Sequence, residues 1–267
     1  MDASQDHGSL RVALIQLRPA DGDKARNLAA AGEAVAAAAA QGAGLAVLPE
    51  YALAGFPAER MRELAEPLDG PSLSAFRDLA AGAGVCLVAG LPRLDEAGRI
   101  FDTTVVLAPD GALLTVYDKT HLFDRERAVF TPGAALQPPF EFAGVRFGVL
   151  CCFDVEFPEP ARTLALRGAQ CLLVPSANME PWGPAHRAFV RARALENHCF
   201  VAYANAVGSA SGYRFEGESC LVDPRGRVLC DAGRGETVVW GDVDLAVAGE
   251  ARAVGDYLAQ RRPELYD

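Results

Sequence analysis

Short apolar runs recur along the chain, each bounded by glycine, proline or charge, with longer helical stretches between them. RVALIQL (11–17), LAVLPE (45–50) and VCLVAGLP (85–92) read as buried strands. Asp23 to Ala40 reads as an alanine-rich helix closed by Gly42 and Gly44, and a second helix is expected from about Leu73 to Ala81. TTVVLA, the turn at 109–111 and ALLTVYDK give a hairpin signal. After a Pro/Gly-rich loop at 131–139, FEFAGVRFGVLCCF predicts two strands meeting near Gly144. Helices are expected over 158–167 and 184–198, with strands at 171–178 and 200–207 beside them. A second hairpin turns at 224–226, TVVWGDVDL (237–245) is a last strand, and a charged tail ends the chain.

Strands outnumber helices, and two hairpins interrupt the βαβ alternation. The pattern predicts an α/β fold with mixed sheets. No composition break marks a linker, so residues 10–267 are expected to form a single domain behind a loose tail at 1–9.

Composition narrows the function. The formal net charge is -10, which argues against general affinity for nucleic acid or an anionic membrane surface. No apolar run is long enough to span a bilayer, and the polar start MDASQDHGSL does not resemble a secretory signal. Seven cysteines, several in apolar runs, fit reduced buried thiols and a cytoplasmic location better than a disulfide framework. With four scattered histidines and no CxxC pair, no metal site is expected.

Three polar residues stand at the ends of apolar strands, where side chains can reach a crevice. They are Glu50 in LAVLPEYALAGF, Lys119 in LLTVYDKTHLF and Cys152 in GVRFGVLCCFDVEFPE. Each alone reads equally well as a solvated strand end or a core thiol. Gly148 permits another segment to approach closely, and FDVEFP turns sharply into a helix, so a thiol at the turn can face a ligand beside free N–H groups. By strand alternation Cys151 points to the opposite face from Cys152. A Cys–His pair drawing on His121, His186 or His198 is a rival, but it leaves Glu50 without a role.

Together these segments resemble the nitrilase, or carbon–nitrogen hydrolase, superfamily across nearly the whole chain. The resemblance rests on Glu in LPE, Lys in YDKTHLF and Cys before Phe-Asp and FPE. FTPG (130–133), GAQCLLVPSAN (168–178), VRARALENHCFVAYAN (190–205) and RRPELY match in order. It implies a four-layer α–β–β–α sandwich, a Glu50–Lys119–Cys152 triad, a second glutamate at Glu126 and no cofactor. Glu50 is then the base, Cys152 the nucleophile forming a thioester, and Lys119 with the Phe153 N–H the oxyanion holder. Homodimers formed through helical faces are also implied, with the tail Tyr257 to Asp267 as a candidate to cross between subunits.

The region from DVEFPE to VAYAN is similar to bacterial aliphatic amidases of the 5-aminopentanamidase type and to stereoselective amidases. That likeness implies a small aliphatic amide as substrate, an acyl pocket lined by Asn178, Met179 and Trp182, and Glu156 or Glu180 facing a distant ammonium. An N-carbamoyl amine or amino-acid hydrolase is the alternative reading. A catalytically dead binding scaffold is a third, and the intact set of four polar residues speaks against it.

Overall fold

The computed structural model describes residues 9–266, so the expected loose tail lies, but for Ser9, outside the described residues. The chain begins with β1 (Leu10–Gln16), α1 (Lys24–Ala40), β2 (Leu45–Val47), α2 (Met61–Leu64) and α3 (Pro71–Ala83). Next come β3 (Cys86–Leu94), β4 (Ile100–Leu107), β5 (Leu113–Asp118), α4 (Glu126–Val129), β6 (Phe140–Phe142) and β7 (Val145–Val149). α5 (Pro158–Leu166), β8 (Cys171–Ser176), α6 (Gly183–Asn197) and β9 (Phe200–Asn205) follow. The chain closes with β10 (Val207–Ala210), β11 (Tyr213–Glu216), β12 (Cys220–Val222), β13 (Val228–Asp231), β14 (Thr237–Val243) and α7 (Leu245–Val254).

Two six-stranded sheets result, in the orders β14-β1-β2-β3-β4-β5 and β13-β12-β9-β8-β7-β6. Each has a parallel centre, β1-β2-β3 or β7-β8-β9, flanked by antiparallel strands. Alternation along the strands divides the apolar residues between two faces. Val12, Leu14, Val47 and Val88 meet Phe147, Val149, Leu173 and Ala202 between the sheets. On the outer face of the first sheet, Val35 of α1 and Phe76 of α3 pack on Ile15 and Leu87. On that of the second, Leu164 of α5 and Val190 of α6 pack on Leu172 and Val201. The layers therefore run α–β–β–α.

Local chemistry explains the boundaries. Asp23 caps α1 by accepting from the Arg26 N–H at 3.0 Å. Pro158 and Pro184 stand in the first turns of α5 and α6, where no donor is lost. A Cβ at Gly148 would lie 3.0 Å from Leu164 and 3.1 Å from Leu172, so glycine lets α5 press onto β7. Several elements were not legible in the apolar pattern: the one-turn helices α2 and α4, the hairpin β10–β11 and the C-terminal α7. No helix among the described residues is long and apolar enough to cross a membrane. Tyr257, the first residue of the expected crossing tail, stacks on His198 of its own chain with ring centroids 5.2 Å apart.

Candidate active site

Glu50, Lys119 and Glu126 converge on one buried point. β2 stops at Val47, and the chain then leaves the sheet so that the Glu50 N–H donates to the Ser176 carbonyl at the end of β8. This carries Glu50, 1% exposed, across the gap between the two sheets. Gly90 of β3 makes room for the turn, since a Cβ there would sit 3.2 Å from the Tyr51 nitrogen. Lys119 follows β5 directly, with its N–H donating to the Asp102 carbonyl and its carbonyl accepting from Gly133. Its ammonium donates to Glu50 Oε1 at 2.7 Å and to both oxygens of Glu126 at 2.7 Å. Glu126 also accepts from the Tyr51 hydroxyl at 2.8 Å and the Phe123 N–H at 2.7 Å, so three donor groups give it four hydrogen bonds. Burial still raises its carboxyl above the ordinary value, Lys119 pulling down and Glu50 adding to the rise.

The thiols sit on the turn that follows β7. Val145, Phe147, Val149 and Cys151 all face the space between the sheets, as period-two alternation requires. Cys152 breaks the alternation with φ 45°, a left-handed conformation that re-aims its side chain toward the ligand cavity. The two thiols therefore point different ways, but Cys151 is not remote from the base. Its Sγ donates to Glu50 Oε1 at 3.2 Å from the core side, while Cys152 opens onto the cavity. Phe153 is the second residue of the short helix Cys152–Glu156, and its N–H has no acceptor among the described residues.

Above Cys152 lies a narrow cavity of about 30 Å³, whose lining is mostly apolar and aromatic. Phe153, Asn178, Met179 and Trp182 line it, as expected, and so does Glu156. Glu180 does not; its carboxylate pairs with Arg214 at 3.4 Å on the surface. Tyr213 and Phe215 of the unexpected hairpin close one wall.

A carbon–nitrogen hydrolase family model matches residues 11–253. The chain belongs to the carbon–nitrogen hydrolase family. It is 39% identical to an (R)-stereoselective amidase from a Pseudomonas species, over 95% of this chain and 92% of that one. It is also 35% identical to the human omega-amidase, over 97% of each. Among solved structures, a mutant amidase of the nitrilase fold from Nesterenkonia sp. AN1 superposes with a TM-score of 0.89 at 31% identity, covering 100% of this chain and 98% of that one. In that structure the acetamide moiety of fluoroacetamide is added covalently at the active-site cysteine. This chain is accordingly a hydrolase of the nitrilase-superfamily amidase type, acting on carbon–nitrogen bonds other than peptide bonds.

In this carbon–nitrogen hydrolase the electrostatics suit a base-assisted thiol. Burial pushes the Cys152 thiol well above its ordinary range, Glu50 adds to the rise, and Lys119 opposes it. The nucleophile thus rests as a thiol and needs a base at the moment of attack. For Glu50, burial works upward, but Lys119 and the hydrogen bonds from Asp102, Lys119 and Cys151 outweigh it, leaving the carboxyl below its usual value. Lys119 is held firmly charged, because Glu126 and Glu50 overcome the effect of burial. Glu50, Asp102 and Cys151 place ligand-type atoms within 4.8 Å of one another. The Lys119 ammonium, 2.7 Å from Glu50 and 3.7 Å from Asp102, already supplies the cation that such a group would bind.

The histidines of this hydrolase serve other partners. His121 Nδ1 contacts Asp154 at 2.8 Å, His186 Nε2 contacts Glu156 at 2.8 Å, and His198 accepts from the Tyr257 N–H at 3.0 Å. None is hydrogen-bonded to Cys152 among the described residues, which removes the basis for a Cys–His pair. Asp154, fully buried, accepts from the Tyr117 hydroxyl at 2.6 Å, Thr120 Oγ1 at 2.9 Å, and the N–H groups of His121 and Cys151 at 2.9 Å each. One carboxylate thereby locks the cysteine turn to the lysine loop. Gly133 fixes the other side of that loop: a Cβ there would lie 2.0 Å from the Asp118 carbonyl oxygen. Gly133→Ala is expected to cost about 1–3 kcal/mol through this overpacking. An unchanged denaturation midpoint would refute that expectation.

Proposed function

We propose that the protein hydrolyses a small aliphatic amide to its carboxylic acid and ammonia, with Cys152 as nucleophile and Glu50 as base. The observation that carries this reading is the buried Glu50–Lys119–Glu126 network set beneath a cavity that Cys152 lines. The substrate amide enters with its carbonyl carbon toward Sγ. Glu50 takes the thiol proton as sulfur attacks, and Lys119 with the Phe153 N–H stabilises the oxyanion. Glu50 then returns the proton to the departing nitrogen, ammonia leaves and a thioester remains. A water deprotonated by Glu50 releases the acid and restores the thiol. Glu126 holds the Lys119 ammonium in place throughout.

The lining favours neutral or cationic acyl chains. It contains the carboxyl groups of Glu126 and Glu156 and the His186 ring, and no lysine or arginine among the described residues. An anionic acyl chain would face Glu156, whose one partner in the lining is the His186 ring. A distal ammonium or N–H donor would instead meet a carboxylate. Glu156→Gln is therefore expected to lower kcat/KM for 5-aminopentanamide about ten-fold relative to pentanamide. Equal losses on both would show that Glu156 does not read the acyl chain.

Ammonia release from aliphatic amides, 5-aminopentanamide, N-carbamoyl amines and amides bearing a distal carboxylate tests the reading. Turnover of neutral and cationic amides without carbon dioxide supports it. Preference for N-carbamoyl compounds with carbon dioxide release would assign a carbamoylase. Failure across the panel, with no thioester trapped, would favour the scaffold. We carry the homodimer as part of the same reading: Leu166 of α5 and Leu195 of α6 are exposed apolar residues on the helical layer that would meet a second copy. A monomer by light scattering at working concentration would sink that part.

A further inference from the structure

Asp102 on β4 takes no part in the steps above, yet it stands against the base. It is 2% exposed and faces Glu50, Tyr51, Lys119, Glu126 and Cys151. Its Oδ2 is 3.7 Å from the Lys119 nitrogen and 3.9 Å from Cys151 Sγ, so Lys119 gives it no hydrogen bond and Cys151 at most a weak one. Its Oδ1 and the Glu50 Oε2 are both buried without a partner. Two orphaned carboxyl oxygens in contact-range groups satisfy each other if one of them carries a proton.

Charge balance requires such a proton. Glu50, Asp102 and Glu126 surround a single ammonium among the described residues, and each is buried. With all three ionised, the cluster would hold two uncompensated charges away from water, at a cost of several kcal/mol per ion. Glu126 has three donors, Lys119, Tyr51 and the Phe123 N–H, and Glu50 has Lys119 and Cys151, whereas Asp102 has no strong donor. The proton belongs on the group to which no cation or N–H donates a hydrogen bond.

We propose that Asp102 carries this proton and donates it in a hydrogen bond to the Glu50 carboxylate, making Asp102 a positioning residue that keeps the base ionised and aimed. Burial and the adjacent Glu50 push the Asp102 carboxyl well above the ordinary range against the pull of Lys119, in keeping with this arrangement. The proton stays shared within the pair through the cycle, so the covalent chemistry is unchanged. The inference rests on Glu50 acting as the base.

Two variants separate the roles. Asp102→Asn keeps a donor toward Glu50 but cannot release a proton; Asp102→Val keeps neither. On a turned-over amide, Asp102→Asn is expected to stay within about three-fold of wild type, while Asp102→Val loses about ten-fold or more in kcat/KM. The Asp102→Val loss is expected to be greater on the acid limb, with KM little changed. The second measurement needs no substrate. A carboxyl raised in the folded state contributes stability that is present below its unfolded value and lost as pH rises toward the folded one. The Tm of Asp102→Asn relative to wild type should therefore climb as pH is raised above about 4. A pH-independent Tm difference would overturn the proposal even if no amide is turned over. So would an Asp102→Asn variant as impaired as Asp102→Val with the acid limb unmoved.

Discussion

Replacing Cys152 with alanine is expected to abolish amide turnover, with kcat falling by roughly 10⁴-fold or more, while Cys151→Ala keeps most of it. The asymmetry is not obvious from proximity to the base, because it is Cys151 whose thiol donates to Glu50 at 3.2 Å. Access decides the matter. Both thiols pack against the core between the sheets, Cys151 1% and Cys152 7% exposed, but only Cys152, turned by its left-handed backbone, also lines the cavity. A nucleophile must reach a substrate carbonyl at about 3–3.5 Å, and Cys151 does not line the cavity that would hold one. Cys151→Ala removes one donor to Glu50 and leaves Lys119 in place, which predicts a loss within about ten-fold. Steady-state ammonia release from both variants checks the pair of expectations; comparable loss in Cys151→Ala would reopen the choice of nucleophile.

Lys119→Met carries the second large effect, and on two quantities at once. The lysine is the cation between Glu50 and Glu126, fully buried in its side chain, with Asp102 close by. Removing it leaves buried carboxylates without compensation, which costs about 3–5 kcal/mol of stability. It also removes a charge aimed at the oxyanion, worth roughly 10²–10³ in kcat. Met preserves the length and apolar stem, so the loss is electrostatic. Lowering the pH should recover part of the stability, because protonating Glu50 or Glu126 relieves the uncompensated charge. Urea melts across pH with parallel kinetics test this, and a variant as stable as wild type at neutral pH would contradict the described network.

The sandwich was legible because its signals are local. Apolar runs such as RVALIQL and CLLVPS sit in strands buried on both faces, and helix caps such as Asp23 mark boundaries. The catalytic candidates were legible as strand-end polar residues, and the family resemblance supplied their roles. What escaped was non-local or masked by alternation. Asp102 lies inside FDTTVVL, where one carboxylate in a strand reads as a solvent-facing residue, and its neighbours come from four other segments. The contact of Cys151 with Glu50 joins segments far apart in sequence, and the left-handed backbone of Cys152 just past the end of β7 leaves no mark in the apolar pattern. The hairpin β10–β11, rich in Gly and Ser, carries little apolar periodicity, yet it supplies Tyr213 and Phe215 to the cavity. Glu180 and Glu156 were indistinguishable in sequence. They separate in space because Arg214 claims Glu180, while Glu156 turns inward with His186.

The central claim is that Cys152 forms an acyl-enzyme with an amide, and acid-quenched mass spectrometry during turnover of a saturating aliphatic amide tests it most directly. The account predicts an acyl adduct whose fragmentation places it on Cys152, absent from Cys152→Ala and present in Cys151→Ala. An adduct on Cys151, or turnover by Cys152→Ala, would contradict it.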